Sequence, residues 1–337
     1  MDTKEYIQGL IDRARTAQQE FETYSQEQVD KAVRGIGKII YDNGEMLARM
    51  AVDETRMGKY EDKIVKNKAK AKIVWYKLKG VKSRGIIRYL DDIGIVEVAK
   101  PIGVIGCVAP TTNPTMTPNH NAMIALKGGN AIIVCPHPRA KETGIKTVEL
   151  MRQALREIGY PEDLIQVVPE PTMEASGLIM QLCDACVSTG GPGMVKAAYS
   201  SGKPAFGVGA GNVQSLVDTD VDLEQAAEKI ARSRTYDNGV LCTCEQCVHI
   251  PSAKFDAMVA LLQAQGGAYI GSDADVAALR KAMFPNGSIN KDVVGSTPQA
   301  IAALAGLTVP EEARFLLVRV TKGGRDEDLT REKLCPV

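Results

Sequence analysis

The sequence lacks an excess of charge of either sign, a long apolar run and any recognisable targeting segment. Its 337 residues carry 41 Lys and Arg against 41 Asp and Glu, so net charge gives no reason to expect a nucleic-acid partner. The longest stretch without these charged residues, 101–126, contains four prolines, which excludes a membrane-spanning helix there. The N-terminus resembles neither a secretory nor a transit peptide. We therefore predict a cytoplasmic protein that binds neither nucleic acid nor membrane.

The eight cysteines are scattered instead of concentrated in a short chain. Disulfide-stabilised proteins are typically small and secreted, so this distribution predicts reduced thiols. The length is enough for two domains of roughly 150 residues each. The chain is therefore expected to have ordinary buried cores and not a scaffold held by disulfides.

Apolar periodicity predicts how the chain is organised. Residues 4–54 repeat apolar side chains at helical spacing. Residues 63–84 contain nine basic and no acidic side chains, a pattern that fits a solvated helix or an anion-binding edge. Residues 86–98 alternate around Asp91 and Gly94 and predict a β-hairpin.

After Pro101, short apolar runs alternate with amphipathic stretches. This repeated β-α-β order predicts an α/β fold with a parallel sheet covered by helices, in which ligands bind beyond the carboxyl ends of the strands. A further α/β stretch follows Cys247. We predict a first domain over 1–236 and a second over 237–337.

Glycine-rich turns are the first candidates for a ligand site. They are Thr189-Gly190-Gly191-Pro192-Gly193, Gly207 to Gly211, and Gly128-Gly129. The turn at Thr189 leads into a predicted helix, where free backbone N–H groups suit a phosphate. The spacing differs from the dinucleotide-binding fingerprint. Nucleotide binding and a purely structural turn therefore both remain open from the pattern.

A cluster of cysteines provides the second candidate. Cys242, Cys244 and Cys247 precede His249 in the segment D-N-G-V-L-C-T-C-E-Q-C-V-H. Zinc sites usually combine two separated ligand pairs, which this cluster lacks. A cysteine in a polar, glycine-containing loop can instead act as an exposed nucleophile, and a buried, inert thiol is the third alternative.

The third candidate is the polar loop that runs from Pro110 to Pro118 after the first β-run. A side-chain amide held rigidly at the end of a strand can stabilise an oxyanion. A helix cap at Asn113 or Thr117 fits the same pattern.

Taken together, five segments resemble the CoA-acylating aldehyde dehydrogenases, a family that includes the aldehyde dehydrogenase half of bifunctional aldehyde-alcohol dehydrogenases and the acylating succinate-semialdehyde enzymes. The resemblance runs from about residue 5 to the last residue. The segments that carry it, in the family's order, are PIGVIGCVAPTTNPT, CPHPRAK, STGGPGMVKAAYSSGKPAFGVGAGN, YDNGVLCTCEQ and EKLCPV.

The resemblance implies a fold and a set of roles. The fold would be aldehyde dehydrogenase-like, with a Rossmann-type parallel sheet domain, a second α/β catalytic domain and a β-hairpin oligomerisation arm at 86–98. Cys242 matches the nucleophile and Asn113 the oxyanion-stabilising amide, which acts with the backbone N–H of Cys242. Glu332 matches the residue that holds the nicotinamide ribose. The residues that match the cofactor-binding loops are Thr189, Gly190, Gly191, Gly193, Gly209, His137 and Arg139.

One departure from the wider aldehyde dehydrogenase pattern concerns the acceptor of the acyl group. Hydrolytic members carry a glutamate that activates water, and the matching stretch, Gly207 to Asn212, has no carboxylate. A thiol needs less activation than water because a thiolate is a strong nucleophile. We therefore predict transfer of the acyl group to coenzyme A, with a hydrolytic enzyme and a non-catalytic family member as the alternatives.

The resemblance also implies NAD as cofactor and a small aldehyde and CoA as substrates. The loop at His137 lacks an acidic residue that would repel a 2′-phosphate, so Arg139 or Lys141 would tolerate NADP. The sequence does not choose among four candidate aldehyde substrates, which are acetaldehyde, propionaldehyde, succinate semialdehyde and sulfoacetaldehyde. Family members continue beyond the residue that matches Val337. We accordingly expect the chain as given to be poorly active and prone to aggregate, and the longer form to be a homodimer or homotetramer.

Overall fold

A computed structural model describes residues 2–337, apart from the side chain at position 325. The chain forms two compact units. Unit 1 contains the residues up to Thr55 and those from Lys63 to Gly209, and unit 2 contains Arg56–Asp62 and Ala210–Val337. Among residues 2–337, no helix combines the length and the apolar character needed to cross a bilayer.

The N-terminal part is helical, as the periodicity predicts. Ile7, Leu10 and Ile11 lie on one face of the first helix and are buried. The Ser25 hydroxyl accepts the backbone N–H of Gln28, and this capping box starts the second helix. The four helices are α1 (Thr3–Glu22), α2 (Gln26–Asp42), α3 (Gly44–Thr55) and α4 (Tyr60–Leu78).

Helix α4 differs from the predicted solvated lysine face. The side chains of Lys63 and Lys66 are buried, whereas Val65, Ile73 and Tyr76 are exposed. Lysine stems can pack along apolar neighbours while their charged ends find polar partners, so composition alone did not show which face of this helix would be buried.

The predicted hairpin is confirmed. β1 (Gly85–Leu90) pairs antiparallel with β2 (Ile95–Ala99), through a short 3₁₀ turn at Asp91–Ile93. Gly94 closes this turn with φ of 64°, which glycine adopts without strain. Both faces of the hairpin present apolar side chains to solvent, including Tyr89, Ile93 and Val96.

The predicted parallel sheet is also confirmed and forms the centre of unit 1. Its five strands are arranged in the order β5-β4-β3-β6-β7, and every neighbouring pair is parallel. The central strands β3 and β4 are buried along their whole length, because their sequences are uninterrupted apolar runs. The elements are β3 (Val104–Val108), α5 (Met116–Lys127), β4 (Ala131–Cys135), α6 (Lys141–Glu157), β5 (Ile165–Val167), α7 (Met173–Leu182), β6 (Ala185–Thr189), α8 (Pro192–Tyr199) and β7 (Ala205–Val208).

Strand order determines which loops share an edge of this sheet. The chain starts in the centre with β3, moves to β4 and β5 on one side, and returns to β6 on the other side of β3. Because all five strands are parallel, the loops after β3, β4 and β6 emerge at the same carboxyl edge. The direction of winding reverses between β3 and β6, which is where open α/β sheets bind ligands.

Unit 2 contains two pairs of parallel strands, β8–β9 and β10–β11. A core of Ala227, Ala231, Met258, Leu262 and Phe315 joins α9, α10 and β11. The elements are β8 (Val213–Leu216), α9 (Leu223–Thr235), β9 (Glu245–His249), α10 (Phe255–Ala264), β10 (Gly267–Ile270), α11 (Asp273–Met283), α12 (Pro298–Leu304) and β11 (Phe315–Val318).

Three details differ from the sequence-based expectations. The units divide between Gly209 and Ala210 and not after residue 236, because β8 pairs with β9 and α9 packs on α10. For the same reason 213–216 belongs to unit 2 and not to the five-stranded sheet. Gly207 lies in β7 instead of a turn; a Cβ there would approach a Val195 methyl carbon at 2.7 Å, so close strand–helix packing requires glycine.

Candidate active site

Burial separates the eight cysteines, all of which lie within the described residues. The six buried thiols have pKa values raised mainly by burial, to about 12 for Cys107 and Cys183 and about 11 for Cys335. Cys247 is half-buried, and Cys242 is exposed. A nucleophile must be reachable by its substrate, and among the eight thiols Cys242 is the exposed one. The other three cysteines with a raised pKa are Cys135, Cys186 and Cys244.

The D-N-G segment before Cys242 forms an unusual turn. Asp237, Asn238 and Gly239 are three consecutive residues with φ of 50°, 50° and 64°. Residues other than glycine rarely adopt this left-handed conformation. A Cβ on Gly239 would lie 2.8 Å from the Cys335 carbonyl oxygen, so glycine is required there by space as well as by φ.

Hydrogen bonds inside unit 2 hold this turn in place. The Lys59 backbone N–H donates to Asp237 Oδ1 at 2.9 Å, and the Asp237 backbone N–H donates to Asp62 Oδ2 at 2.8 Å. The Asn238 side-chain amide donates to the Gly295 carbonyl at 3.1 Å. Backbone strain persists only where surrounding contacts enforce it, and here they fix the loop that presents Cys242.

The other members of the cysteine cluster point to separate partners. The Cys244 thiol donates to the Ser233 carbonyl at 3.1 Å, and the Cys247 thiol contacts the Thr330 carbonyl at 3.5 Å. The His249 ring lies 2.9 Å from Gln214 Oε1. Within residues 2–337, no group of three or more His, Cys, Asp or Glu side chains has a geometry that could hold a metal ion.

Unit 2 brings Cys242 and Glu332 together through Gly211. The Gly211 backbone N–H donates to Glu332 Oε1 at 2.9 Å. On its other side, a Cβ on Gly211 would lie 2.8 Å from the Cys242 carbonyl oxygen. Gly211 is therefore packed between the loop that carries Cys242 and the carboxylate that the sequence resemblance assigns to the cofactor ribose.

The Glu332 carboxyl is half-buried, and burial raises its pKa above the usual value. The hydrogen bond from Gly211 and the nearby Arg234 guanidinium act in the opposite direction. Among the described residues of unit 2, no donor meets its second oxygen, Oε2. That oxygen is available to accept a hydrogen bond from a ligand hydroxyl.

In unit 1 the loop after β3 carries Asn113. Asn113 lies three residues before α5, and Thr117 is the second residue of that helix. The Asn113 carbonyl accepts the Thr117 backbone N–H at 3.3 Å. The alternative of a cap at Thr117 is wrong, because α5 begins at Met116 and Thr117 lies inside it. The Asn113 side-chain amide is half-buried, and within the described part of unit 1 it meets no hydrogen-bond partner.

The turn from Thr189 to Gly193 joins β6 to α8 at the same edge of the sheet. Gly191 and Gly193 have neither a positive φ nor a neighbour within 4 Å of a built Cβ. The fold of unit 1 therefore does not require glycine at these two positions. Glycine there leaves space in front of the helix N-terminus, as a phosphate site needs.

The loop after β4 contains His137 and Arg139, also at the carboxyl edge. His137 Nδ1 accepts the Arg139 backbone N–H at 3.1 Å, which shapes the 3₁₀ turn that starts at Pro138. Lys141 forms ion pairs with Glu170 and Glu142. Arg139 is exposed and, among the described residues, pairs with no carboxylate, so it is the better placed cation for an added phosphate. Gly209, the last residue of unit 1, lies just after β7.

Several residues that shape the site were not identified from the sequence. Gly211 belongs to a glycine-rich stretch, but the pattern predicted no role for it. Lys59 and Asp62 lie far from Asp237 in sequence. Lys333 stood beside Glu332 without a role and is fully buried. Neither spacing nor charge distinguishes these residues, because their partners are brought together only by tertiary folding.

Comparison with known proteins agrees with this geometry. The model of the Aldehyde dehydrogenase family matches residues 1–279. The chain is 44% identical over 337 residues to the succinate-semialdehyde dehydrogenase (acetylating) of Clostridium kluyveri, covering all of this chain and 74% of that protein.

Solved structures give the same answer. An acetylating aldehyde dehydrogenase from Geobacillus thermoglucosidasius is similar with a TM-score of 0.95 and 35% identity, over 99% of this chain and 74% of that one. A propionaldehyde dehydrogenase from Rhodopseudomonas palustris, solved with bound propionyl-CoA, is similar with a TM-score of 0.88 and 31% identity, over 98% and 73% of the two chains. The predicted resemblance and fold class are confirmed, and the chain belongs to the aldehyde dehydrogenase family, among its CoA-acylating members.

Proposed function

We propose that Cys242 is the nucleophile with which this CoA-acylating aldehyde dehydrogenase attacks a small aldehyde. The observation that carries the assignment is its exposure on a turn held in a rare conformation, while six of the other thiols are buried. Attack of the thiolate on the carbonyl carbon forms a C–S bond and a thiohemiacetal oxyanion. The π electron pair of the carbonyl moves onto the carbonyl oxygen, which then carries the negative charge.

Two groups are proposed to stabilise the oxyanion. One is the Asn113 side-chain amide, which has no partner among the described residues of unit 1. The other is the Cys242 backbone N–H, which donates to no acceptor within the described part of unit 2. Donors that are fixed and unused in the free enzyme can stabilise developing charge without reorganisation.

A bound nicotinamide cofactor would supply the acceptor for the hydride of the thiohemiacetal carbon. The residues present fit such a cofactor. The phosphates are proposed to lie at the open turn before and at the start of α8, which contains Thr189, Gly190, Gly191 and Gly193. Gly209, which directly follows β7, is proposed as a further contact. The free Oε2 of Glu332 suits a ribose hydroxyl. His137 and Arg139 lie at the same carboxyl edge of the sheet and are proposed to meet the adenosine end.

Oxidation of the thiohemiacetal would leave the acyl group on Cys242 as a thioester, and we assign CoA as the acceptor of this acyl group. The CoA thiolate attacks the thioester carbonyl, acyl-CoA leaves, and the Cys242 thiolate is regenerated. The stretch from Gly207 to Asn212 offers no carboxylate to activate water. The reverse reaction, reduction of acyl-CoA, uses the same groups.

The finer assignments are also proposals. We assign the main dinucleotide-binding role to unit 1 and the catalytic role to unit 2, which carries Cys242. The exposed apolar hairpin β1–β2 is proposed as the arm through which copies of the chain form a dimer or tetramer. The aldehyde is a small one, and a kinetic panel with CoA and each of the four candidate aldehydes would identify it.

The decisive experiment replaces the cysteines of the cluster one at a time. Cys242→Ala should abolish CoA-dependent NADH formation, because no other reachable thiolate replaces it. Cys247→Ala is the matched control and should retain most activity, since this half-buried thiol contacts only a carbonyl on the neighbouring segment. Full activity of the Cys242 variant, or loss of activity only in the Cys247 variant, would overturn the assignment.

A further inference from the structure

Lys333 is a buried ammonium group that the chemistry above does not use. Its side chain is 2% exposed. Nζ donates to three main-chain carbonyls, those of Leu329 at 2.8 Å, Gln246 at 2.9 Å and Arg331 at 3.2 Å. All three N–H donors of the ammonium group therefore find acceptors inside unit 2.

The backbone of Lys333 is fixed as well. Its N–H donates to Oε1 of Gln246 at 3.0 Å, and Gln246 is itself buried on β9. β9 is the strand that begins three residues after Cys242. Lys333 is thus attached to the strand that follows the nucleophile loop by both its main chain and its side chain.

Packing alone does not account for a lysine here. Burying an ammonium group costs far more than burying an apolar side chain of similar length. Burial lowers its pKa to about 8, with Arg234 acting in the same direction and Cys247, Cys335 and Glu327 opposing it. A methionine side chain would fill the same space. What lysine adds is the three hydrogen bonds to main-chain carbonyls.

The acceptors of Lys333 surround its neighbour in the chain. Leu329 and Arg331 precede Glu332, and Gln246 holds Lys333 directly after it. The main chain before Glu332 is therefore tied to the ammonium group of Lys333, and the main chain after it is tied to the Gln246 side chain. The Glu332 carboxylate itself accepts the Gly211 N–H. A shift of this segment would break these contacts together.

We propose that Lys333 is a positioning residue, which holds Glu332 so that its free carboxylate oxygen meets the nicotinamide ribose of the cofactor. The inference rests on the proposed function, because it takes the role of Glu332 from there. Lys333 itself touches no reacting atom. Its contribution is to restrict where the carboxylate of Glu332 can lie relative to Gly211 and the Cys242 loop.

Binding of two ligands to the purified protein tests this role. Isothermal titration calorimetry gives Kd for NAD, which contains the nicotinamide ribose, and for AMP, which lacks it. Lys333→Met should weaken NAD about tenfold, the loss expected for one hydrogen bond to a charged group, and leave Kd for AMP within about twofold. Lys333→Gln keeps donors and should fall between the native protein and Lys333→Met. Lys322→Met removes an exposed lysine of the same segment and should change neither Kd.

A double-variant cycle separates positioning from a general loss of structure. Glu332→Gln should also weaken NAD, and adding Lys333→Met to it should cause little further loss, because both changes remove the same interaction. Additive losses, or equal weakening of AMP and NAD in both Lys333 variants, would overturn the positioning role while leaving Glu332 in place. If Glu332→Gln leaves Kd for NAD unchanged, the proposed role of Glu332 fails, and the inference fails with it.

Discussion

Gly211 donates its backbone N–H to the carboxylate of Glu332 at 2.9 Å, although the two residues lie 121 positions apart in sequence. The other side of Gly211 faces the Cys242 carbonyl oxygen so closely that a Cβ would come within 2.8 Å of it. One glycine thus separates the loop that carries Cys242 from the segment that carries Glu332. The contact with Cys242 is between main-chain atoms, so no side-chain movement can relieve a clash there.

The first prediction concerns this glycine. Gly211→Ala forces the Cys242 loop or the Glu332 segment to move, because the colliding atom belongs to the main chain. We expect a loss of stability of about 1–3 kcal/mol and a fall in kcat/KM of at least about tenfold, the effect of misplacing a reacting group. Chemical denaturation and steady-state kinetics measure both quantities.

Gly35→Ala is the matched control for that substitution. Gly35 lies inside α2 with nothing within 4 Å of a built Cβ. Alanine there should stabilise the protein by roughly 0.5–1 kcal/mol through helix propensity and leave kinetics unchanged. If Gly211→Ala behaves like Gly35→Ala, the close packing against Cys242 is unimportant.

The second prediction concerns the acceptor of the acyl group. With aldehyde and NAD but no CoA, we expect a burst of NADH equivalent to the Cys242 present, followed by turnover at least about a hundredfold slower, since general-base activation of water contributes that much where it exists. Stopped-flow absorbance follows NADH, and chromatography identifies the acyl-CoA formed once CoA is added. Rapid steady release of carboxylic acid without CoA would show that another group activates water.

The third prediction concerns cofactor preference. We expect NAD to be preferred, and Arg139→Ala to lower kcat/KM for NADP by about tenfold while leaving NAD nearly unchanged, because exposed Arg139 is the cation available to a 2′-phosphate. Lys141→Ala is the control, since Lys141 is already paired with Glu170 and Glu142. A native preference for NADP that Arg139→Ala reverses would make the NAD assignment wrong.

The fourth prediction concerns the hairpin β1–β2. Tyr89 and Val96 face each other across it and are both exposed, so a charge placed there would disfavour burial against another copy. Tyr89→Glu should lower the mass measured by light scattering after size-exclusion chromatography. Leu304→Glu, at an exposed position of α12, is the control and should leave the mass as it is. An unchanged mass for Tyr89→Glu would remove the hairpin from the interface.

The fifth prediction uses the titration of Lys333. Its pKa is about 8 in the folded protein and near 10.5 in the unfolded chain. Between these values the unfolded chain binds the proton and the folded protein does not. The contribution of Lys333 to the free energy of unfolding therefore increases as pH rises from 8 to 10.5.

Below pH 8 the full cost of the buried charge applies, on the order of 3 kcal/mol. The measurement is the free energy of unfolding of the native protein minus that of Lys333→Met, from denaturant titrations at pH 7 to 10. This difference should move in favour of the native protein across that window. A difference that is flat with pH would show that Lys333 does not titrate there.

The sequence by itself determined the elements and the family. Apolar runs such as Ala131–Cys135 specified buried parallel strands, helical spacing specified α1 and α2, and the segments around Asn113, Cys242 and Glu332 indicated the chemistry. These features are local: each depends on the order of neighbouring side chains, which hydrophobic burial and backbone propensity convert directly into structure.

Tertiary structure decided what those local patterns left open. It assigned 213–216 to a strand pair of unit 2, placed Gly207 in β7, buried Lys63 and Lys66 on α4, and separated exposed Cys242 from buried Cys244. It also joined Gly211 to Glu332, Asp237 to Lys59 and Asp62, and Lys333 to Gln246. These outcomes depend on contacts between residues far apart in sequence, where close packing and the need to satisfy buried polar groups select one partner among many.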